Sequence, residues 1–221
     1  MNSSPAIEIE TAPNPQATLI VLHGLGADGN DFVPICNELD LRAIGGVRYL
    51  FPHAPERPVT INGGYRMRAW YDILGTDLVR REDEGGLRES AAAIAAMIDA
   101  EIARGIPASR IVLMGFSQGC AMTLMTGLRY PQRLAGLVGL SGYLPLAALT
   151  AAERHGANAD VPIFLAHGRM DPVVPIARAQ DSRTALQALG HPVEWHDYPM
   201  PHSVCAEEVA DLNRWLLARL G

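Results

Sequence analysis

Ser117 sits in Gly115-Phe116-Ser117-Gln118-Gly119, directly after the apolar run Ile111–Phe116 and before a helical stretch. In a G-x-S-x-G pattern the two glycines let a chain leaving a strand turn sharply enough to expose the serine hydroxyl above a sheet edge. At this serine and glycine content chance supplies about 0.07 such matches, so the flanking strand and helix give the pattern its weight. The bland reading of Ser117 is a helix N-cap after a glycine turn. A serine hydroxyl becomes a useful nucleophile only beside a base. All 18 positively charged residues here are arginine, and there is no lysine. That excludes a Walker A loop, a Schiff base and a Ser–Lys dyad, and leaves histidine as the base.

The order Ser…Asp/Glu…His then restricts the partners. Asp171 follows Ser117 by 54 residues, just beyond an apolar run ending at His167, and His202 follows Asp171 by 31, past the run Val193–Tyr198. All three fall at carboxyl ends of predicted strands, on one edge of a sheet. Competitors miss that edge or the order: Asp160 precedes its strand, Glu194, His196 and Asp197 lie within or near one, and His23 and His167 come before the acid. Taken singly, Asp171 reads as a turn residue before Pro172 and His202 as a surface histidine; the joint arrangement is what points to catalysis. A developing oxyanion also needs donors. The flexible turn His23–Gly29 follows the run Thr18–Leu22 at the same edge, so its Leu25 N–H can join that of Gln118. The same segment spells G-x-G-x-x-G from Gly24 to Gly29, a rival phosphate loop for a dinucleotide. That reading requires a carboxylate at the end of the next strand for the ribose, and Val47–Phe51 runs into Pro52-His53-Ala54-Pro55 instead.

The elements that must hold these residues alternate in type. Thr18–Leu22, Val47–Phe51, Ile111–Phe116, Leu137–Ser141, Ile163–His167 and Val193–Tyr198 read as strands, several apolar throughout, as expected where both faces are covered. Leu87, Ala91, Ile94, Ile98 and Ile102 share a helical face that stops at Gly105 and Pro107. A second helix starts at Pro175 and carries Ile176, Leu186 and Leu189; a last one has Cys205, Val209, Leu212, Leu216 and Leu220 on one side. This predicts one α/β domain over residues 1–221, built on a mostly parallel sheet, with ligands beyond the strands' carboxyl ends.

At 221 residues and 48% apolar content the chain has ample core, and a formal charge of −6 offers no basic field for nucleic acid. Cys36, Cys120 and Cys205 form no C-x-x-C pair and read as free thiols in a reducing cytoplasm. No basic and apolar leader is visible at the N-terminus. Leu134–Ala152 is uncharged for 19 residues, yet Gly136, Gly139, Gly142 and Pro145 interrupt it, which favours a buried strand and a loop over a membrane span.

LHGLGADG, FPHAPERPVTINGGYRMRAWYDI, GFSQG, HGRMDPVVP and the Pro-His-Ser around His202 together resemble the carboxylesterase/acyl-protein thioesterase family of small α/β-hydrolases, with bacterial carboxylesterases as the nearest relatives. The resemblance runs from about Leu19 to near the C-terminus. It implies an α/β-hydrolase fold, Ser117, Asp171 and His202 as the triad, and Leu25 and Gln118 as oxyanion donors. It further implies an acyl groove lined by Ile73, Leu74 and Val173, with Trp70 supporting the loop. Cys120 stands where the family usually has a second glycine, a change expected to alter packing behind the turn and nothing catalytic. Tyr143–Ala157 matches least, and nothing is carried over there.

The remaining features read more simply. His191, Glu194, His196, Asp197 and His202 lack the spacing of a zinc site. Cys205 reads as a structural thiol of the last helix, and the charge run Asp77–Glu84 as a solvated loop. Trp70 and Tyr71 are either core or pocket border. Only 21 residues separate Ser141 from Ile163, too few for a lid domain, so the site should be shallow and open. The expected activity is hydrolysis of short- to medium-chain carboxylic esters through an acyl-enzyme, without cofactor, on small acyl esters. A thioesterase or lysophospholipase is the alternative within the family, and a dinucleotide-binding protein, or a triad-bearing fold used only for binding, the alternatives outside it. A cytoplasmic location is expected, with no nucleic-acid partner and no stable membrane insertion; a homodimer stays open.

Overall fold

The computed structural model describes residues 6–75 and 81–221. In chain order the elements are β1 (Ile7–Glu10), β2 (Ala17–Leu22), α1 (Ile35–Glu38), β3 (Val47–Phe51), β4 (Glu56–Val59), β5 (Tyr65–Arg68) and α2 (Glu84–Ala103). Then come β6 (Ile111–Phe116), α3 (Gln118–Gly127), β7 (Gly136–Leu140), α4 (Ala147–Glu153), β8 (Ile163–Gly168), α5 (Ile176–Ala188), β9 (Val193–Tyr198) and α6 (Ala206–Leu220). Seven strands form one sheet in the order β1-β3-β2-β6-β7-β8-β9, parallel except for β1, and β4 pairs with β5 as a separate hairpin.

The apolar runs are buried on both faces because successive side chains point to opposite sides of the pleat. Ile20, Leu22, Ile111, Leu113, Ile163 and Leu165 face a core shared with α2 and α3. Leu19, Val21, Val112, Met114, Phe164 and Ala166 face the other core, closed by α1 and α6. This is the α/β-hydrolase arrangement, a mostly parallel sheet flanked by helices.

Some boundaries differ from expectation. The strand predicted at Leu137–Ser141 is Gly136–Leu140, because Ser141 turns to φ 49° while its N–H donates to Ala166 O. The last helix starts at Ala206, with Cys205 in extended backbone as its N-cap, not on the helix stripe. Leu134–Ala152 contains β7 and all but the last residue of α4, and among the described residues no helix is long and apolar enough to cross a membrane. Asp77–Arg80 lies outside the described residues. The rest of that run is not merely solvated: Glu82 accepts from Leu146 N–H at 3.0 Å, and Asp83 caps α2 by accepting from Gly86 N–H at 2.9 Å.

β1, unforeseen, is held by charge as well as by pairing. Its Ile7 and Ile9 pack on the sheet, while Glu8 and Glu10 meet Arg48 at 2.7 and 2.8 Å. Arg48, 4% exposed, also donates to Glu101 of α2 at 3.1 Å, and Glu101, 2% exposed, accepts from Thr18 Oγ1 at 2.8 Å. Arg48→Ala would leave Glu101 buried with the Thr18 hydroxyl and, among the described residues, only the more distant Arg104 as a cation, at 3.7 Å. The loss expected in urea denaturation is about 3–5 kcal/mol, and replacing both partners by apolar residues should recover much of it. An Arg48→Ala protein of unchanged stability would show that solvent reaches Glu101.

Glu208, in the first turn of α6, is fully buried with both carboxyl oxygens unpartnered, and burial pushes its pKa up to about 8. The folded protein therefore keeps a proton that the unfolded chain releases near pH 4.5. Stability from this group is complete below that pH and falls as pH rises towards 8, by on the order of 1 kcal/mol per pH unit. Thermal denaturation between pH 5 and 9 should show this slope in the wild type and its flattening in Glu208→Gln. Parallel slopes in the two proteins would exclude Glu208 as the source.

Candidate active site

The chain leaves β2 towards β3 on one side and returns to β6 on the other, so the loops after β2 and β6 diverge around a crevice at the sheet's carboxyl edge. Ser117 lies there, at the end of β6 and the start of α3, with φ 56° and ψ −115°, a conformation L-residues rarely adopt. Ser117 N–H donates to Leu140 O at 2.9 Å, tying the turn to β7. A Cβ at Gly119 would lie 2.0 Å from Leu22 O, and one at Gly115 would lie 2.2 Å from the Gly119 carbonyl. Only glycine fits at either position, and that is the physical content of the motif.

His202 Nδ1 and Asp171 Oδ2 are 2.6 Å apart. Asp171 Oδ1 accepts from Val173 N–H at 2.8 Å and Val174 N–H at 2.9 Å, which fixes the carboxylate in the turn after β8. The structure brings Asp171 and His202 together and keeps Asp160 on the surface, paired with Arg133. The His202 ring rests on Phe116, centroids 4.7 Å apart, beside Ser117. Among the described residues the His202 side chain is hydrogen-bonded to Asp171 and not to Ser117.

His167, in sequence only a competing base, lies beside Asp171. Its Nε2 is 2.8 Å from Val174 O, and since a carbonyl can only accept, the proton is on Nε2. Burial lowers its pKa and keeps the ring neutral, so its 3.4 Å approach to Asp171 Oδ2 is a polar contact, not an ion pair.

The loop after β2 is fastened by hydrogen bonds to the end of β5 and to the segments that follow β3 and β5. His23 Nδ1–H donates to Gly24 O at 2.8 Å, and its Nε2 accepts from Ala54 N–H at 3.0 Å, so this tautomer is set by its partners. Trp70 Nε1–H donates to His23 O at 2.9 Å, and Gly26 N–H donates to Arg68 O at 2.9 Å. The Gln118 side chain bridges this support to the serine turn, accepting from Trp70 N–H at 2.8 Å and donating to Tyr71 O at 2.7 Å. Among the described residues the Leu25 N–H has no acceptor. Gln118 N–H, at the first position of α3, has no acceptor within its helix. Trp70 and Tyr71 are buried and belong to the core. A pyrophosphate would need the N-terminus of a helix, but Gly24–Gly29 runs into a four-residue 3-10 turn, Gly29–Phe32.

Residues 2–219 match the family model described as Phospholipase/Carboxylesterase. The chain belongs to that family. Acyl-protein thioesterase 1 of Yarrowia lipolytica is 38% identical over 217 residues, spanning 96% of each chain. Among solved structures, Arabidopsis thaliana SOBER1 superposes with a TM-score of 0.88 at 31% identity, covering 93% of this chain and 99% of that one. Zea mays acyl-protein thioesterase 2 superposes with a TM-score of 0.86 at 31% identity, covering 97% and 99%. The protein is thus a hydrolase of the esterase/thioesterase class.

Within this phospholipase/carboxylesterase framework, Cys120 is accommodated because Gly139 and Gly142 face it: a Cβ on Gly142 would lie 2.4 Å from that of Cys120. Burial pushes the Cys120 thiol up to about 12 and raises that of Cys205, so neither is a thiolate near neutrality. Ile73 is half-buried against the Trp70 core and its carbonyl accepts from Ile61 N–H at 2.9 Å; Leu74 is half-buried, and Val173 is 61% exposed beside the acid turn. A cleft of about 530 Å³ opens at His202, and none of these three residues lines it. Its walls include Phe32, Ile35, Phe116, Val204 and Val209. Sequence reasoning missed this cleft, because nothing in the spacing brings residues 31–38 to the loop after β9.

Proposed function

We propose that this chain hydrolyses acyl thioesters and oxygen esters through Ser117, with acylated protein thiols as the favoured substrate class. The observation that carries the reading is the 2.6 Å Asp171–His202 pair at the sheet edge that bears the strained Ser117. His202 Nδ1–H donates to Asp171, leaving Nε2 to take the Ser117 proton as Oγ attacks the acyl carbon. The developing oxyanion accepts from Leu25 and Gln118 N–H. His202 then returns the proton to the departing thiol or alcohol, and water activated by the same imidazole clears the acyl-enzyme. None of these steps calls for a cofactor.

The thioester preference rests on the thioesterase names of relatives at 38% identity over nearly the whole chain. It takes precedence over the small-molecule oxygen-ester reading, which the resemblance to bacterial carboxylesterases favoured. Ile73, Leu74 and Val173, backed by Trp70, form the acyl groove in this reading. The interval between β7 and β8 holds α4 and a 3-10 turn at Gly156–Asn158, which supports a site open to solvent. Each methylene buried in the groove contributes at most about 0.8 kcal/mol, so affinity should climb with chain length until the groove is full. Three unpaired thiols fit a cytoplasmic, single-domain enzyme.

Turnover of matched S-acyl and O-acyl substrates from C2 to C16 tests this. Thioesters should be cleaved at least as fast as their oxygen analogues, with no jump in rate as an ester passes its solubility limit. Cleavage confined to oxygen esters would overturn the thioester assignment, and a jump on emulsion formation would overturn the open site.

A further inference from the structure

The acyl groove holds one half of a substrate; the half that leaves must also be held, and it must lie against the group that protonates it. His202 is that group, and it forms one wall of the 530 Å³ cleft. One wall of the cleft is apolar: the Phe116 ring lies 4.7 Å from the His202 ring and 5.7 Å from that of Phe32, with Ile35, Val204 and Val209 continuing the surface, while Ser203 and Cys205 add polar atoms beside His202. Two carboxylates, Asp31 and Glu38, complete the lining from the solvent side, both exposed. Neither is paired with a cation among the described residues, and no arginine lines the cleft. Asp31 is held in place by the capped turn before it, where Asp28 accepts from Asn30 N–H at 2.8 Å and Asp31 N–H donates to Asp28 O at 3.2 Å.

Resting on the hydrolase reading, we propose that this cleft is the leaving-group subsite and that it selects alcohols or thiols with an apolar body and a positive charge. An apolar wall beside the imidazole favours burial of the leaving group's carbon skeleton. Two like charges facing the same space are unfavourable until a cation lies between them, which gives the preference its sign. Because both carboxylates are solvated, the gain is modest, about three- to tenfold for the pair together.

The probe is a pair of esters of one shape, butyrylcholine and 3,3-dimethylbutyl butyrate, which differ by a quaternary nitrogen in place of a quaternary carbon. Each kcat/KM is normalised to the ester's own alkaline hydrolysis rate. The expected cationic-to-neutral ratio at low ionic strength is about three to ten, falling towards one in 1 M salt, where the screening length shrinks to ~3 Å. It should also fall towards one in the double variant Asp31→Asn, Glu38→Gln. A wild-type ratio near one, a preference for the neutral ester, or a ratio unchanged by salt and by the double variant would overturn the subsite. Failure to cleave either ester, by contrast, would count against the hydrolase reading on which it rests, because both carry the same acyl group.

Discussion

Ser117→Ala is expected to lower kcat by roughly 10⁶ while leaving the fold intact, the scale seen when the nucleophile of a Ser–His–Asp hydrolase is removed. The bland alternative, that Ser117 serves as a helix cap, predicts the reverse: full activity and a weaker α3. Its side chain makes no capping hydrogen bond at the start of α3, so deleting the hydroxyl removes nothing that holds the helix. The unusual φ of 56° belongs to the backbone and persists in the variant. Stability should therefore change by no more than about 0.5 kcal/mol. Steady-state turnover alongside thermal denaturation checks both halves. Residual activity above about one thousandth of wild type would rule out a covalent role for Ser117.

Asp171→Asn is expected to cost about 10⁴ in kcat, with the shape of the site preserved. The reason lies in the distribution of donors. Asp171 Oδ1 already accepts from the N–H groups of Val173 and Val174. In asparagine only the amide oxygen can keep those bonds, so the NH₂ group must face His202 Nδ1. An NH₂ group cannot accept, and the imidazole is forced to place its proton on Nε2, the atom that has to take the proton of Ser117. Asp160→Asn, at the exposed Arg133 pair, is the control and should be harmless. The opposite outcome, a harmless Asp171→Asn with a damaging Asp160→Asn, would mean that the acid has been assigned to the wrong strand end.

Most of this edge was legible because strand ends are legible. Runs such as Ile163–Phe164-Leu165-Ala166 are long enough, apolar enough and bounded clearly enough to fix where the chain emerges, and the turn after each run carries its polar residue. What escaped was set by contacts distant in sequence. Gln118 was expected to offer its backbone N–H, but its side chain also joins the serine turn to Trp70 and Tyr71, 47–48 residues away. The Ser…Asp…His order excludes His23 as the base, yet His23 orders the loop that carries Leu25 by bonds to Gly24 and Ala54. The same order excludes His167, and only the fold reveals it beside Asp171. β1 is a different kind of miss. Ile7-Glu8-Ile9-Glu10 alternates as an edge strand should, but four residues with two charges look unremarkable until Arg48 is found on the neighbouring strand to receive them. The β4–β5 hairpin escaped because its residues are half exposed and carry little apolar periodicity.

The most direct test is covalent labelling with a fluorophosphonate, followed by peptide mass spectrometry. One adduct per chain is expected, on Ser117, with labelling slowed in His202→Ala and abolished in Ser117→Ala. An adduct on another residue, or undiminished labelling of the Ser117→Ala protein, would contradict the assignment of Ser117 as the nucleophile.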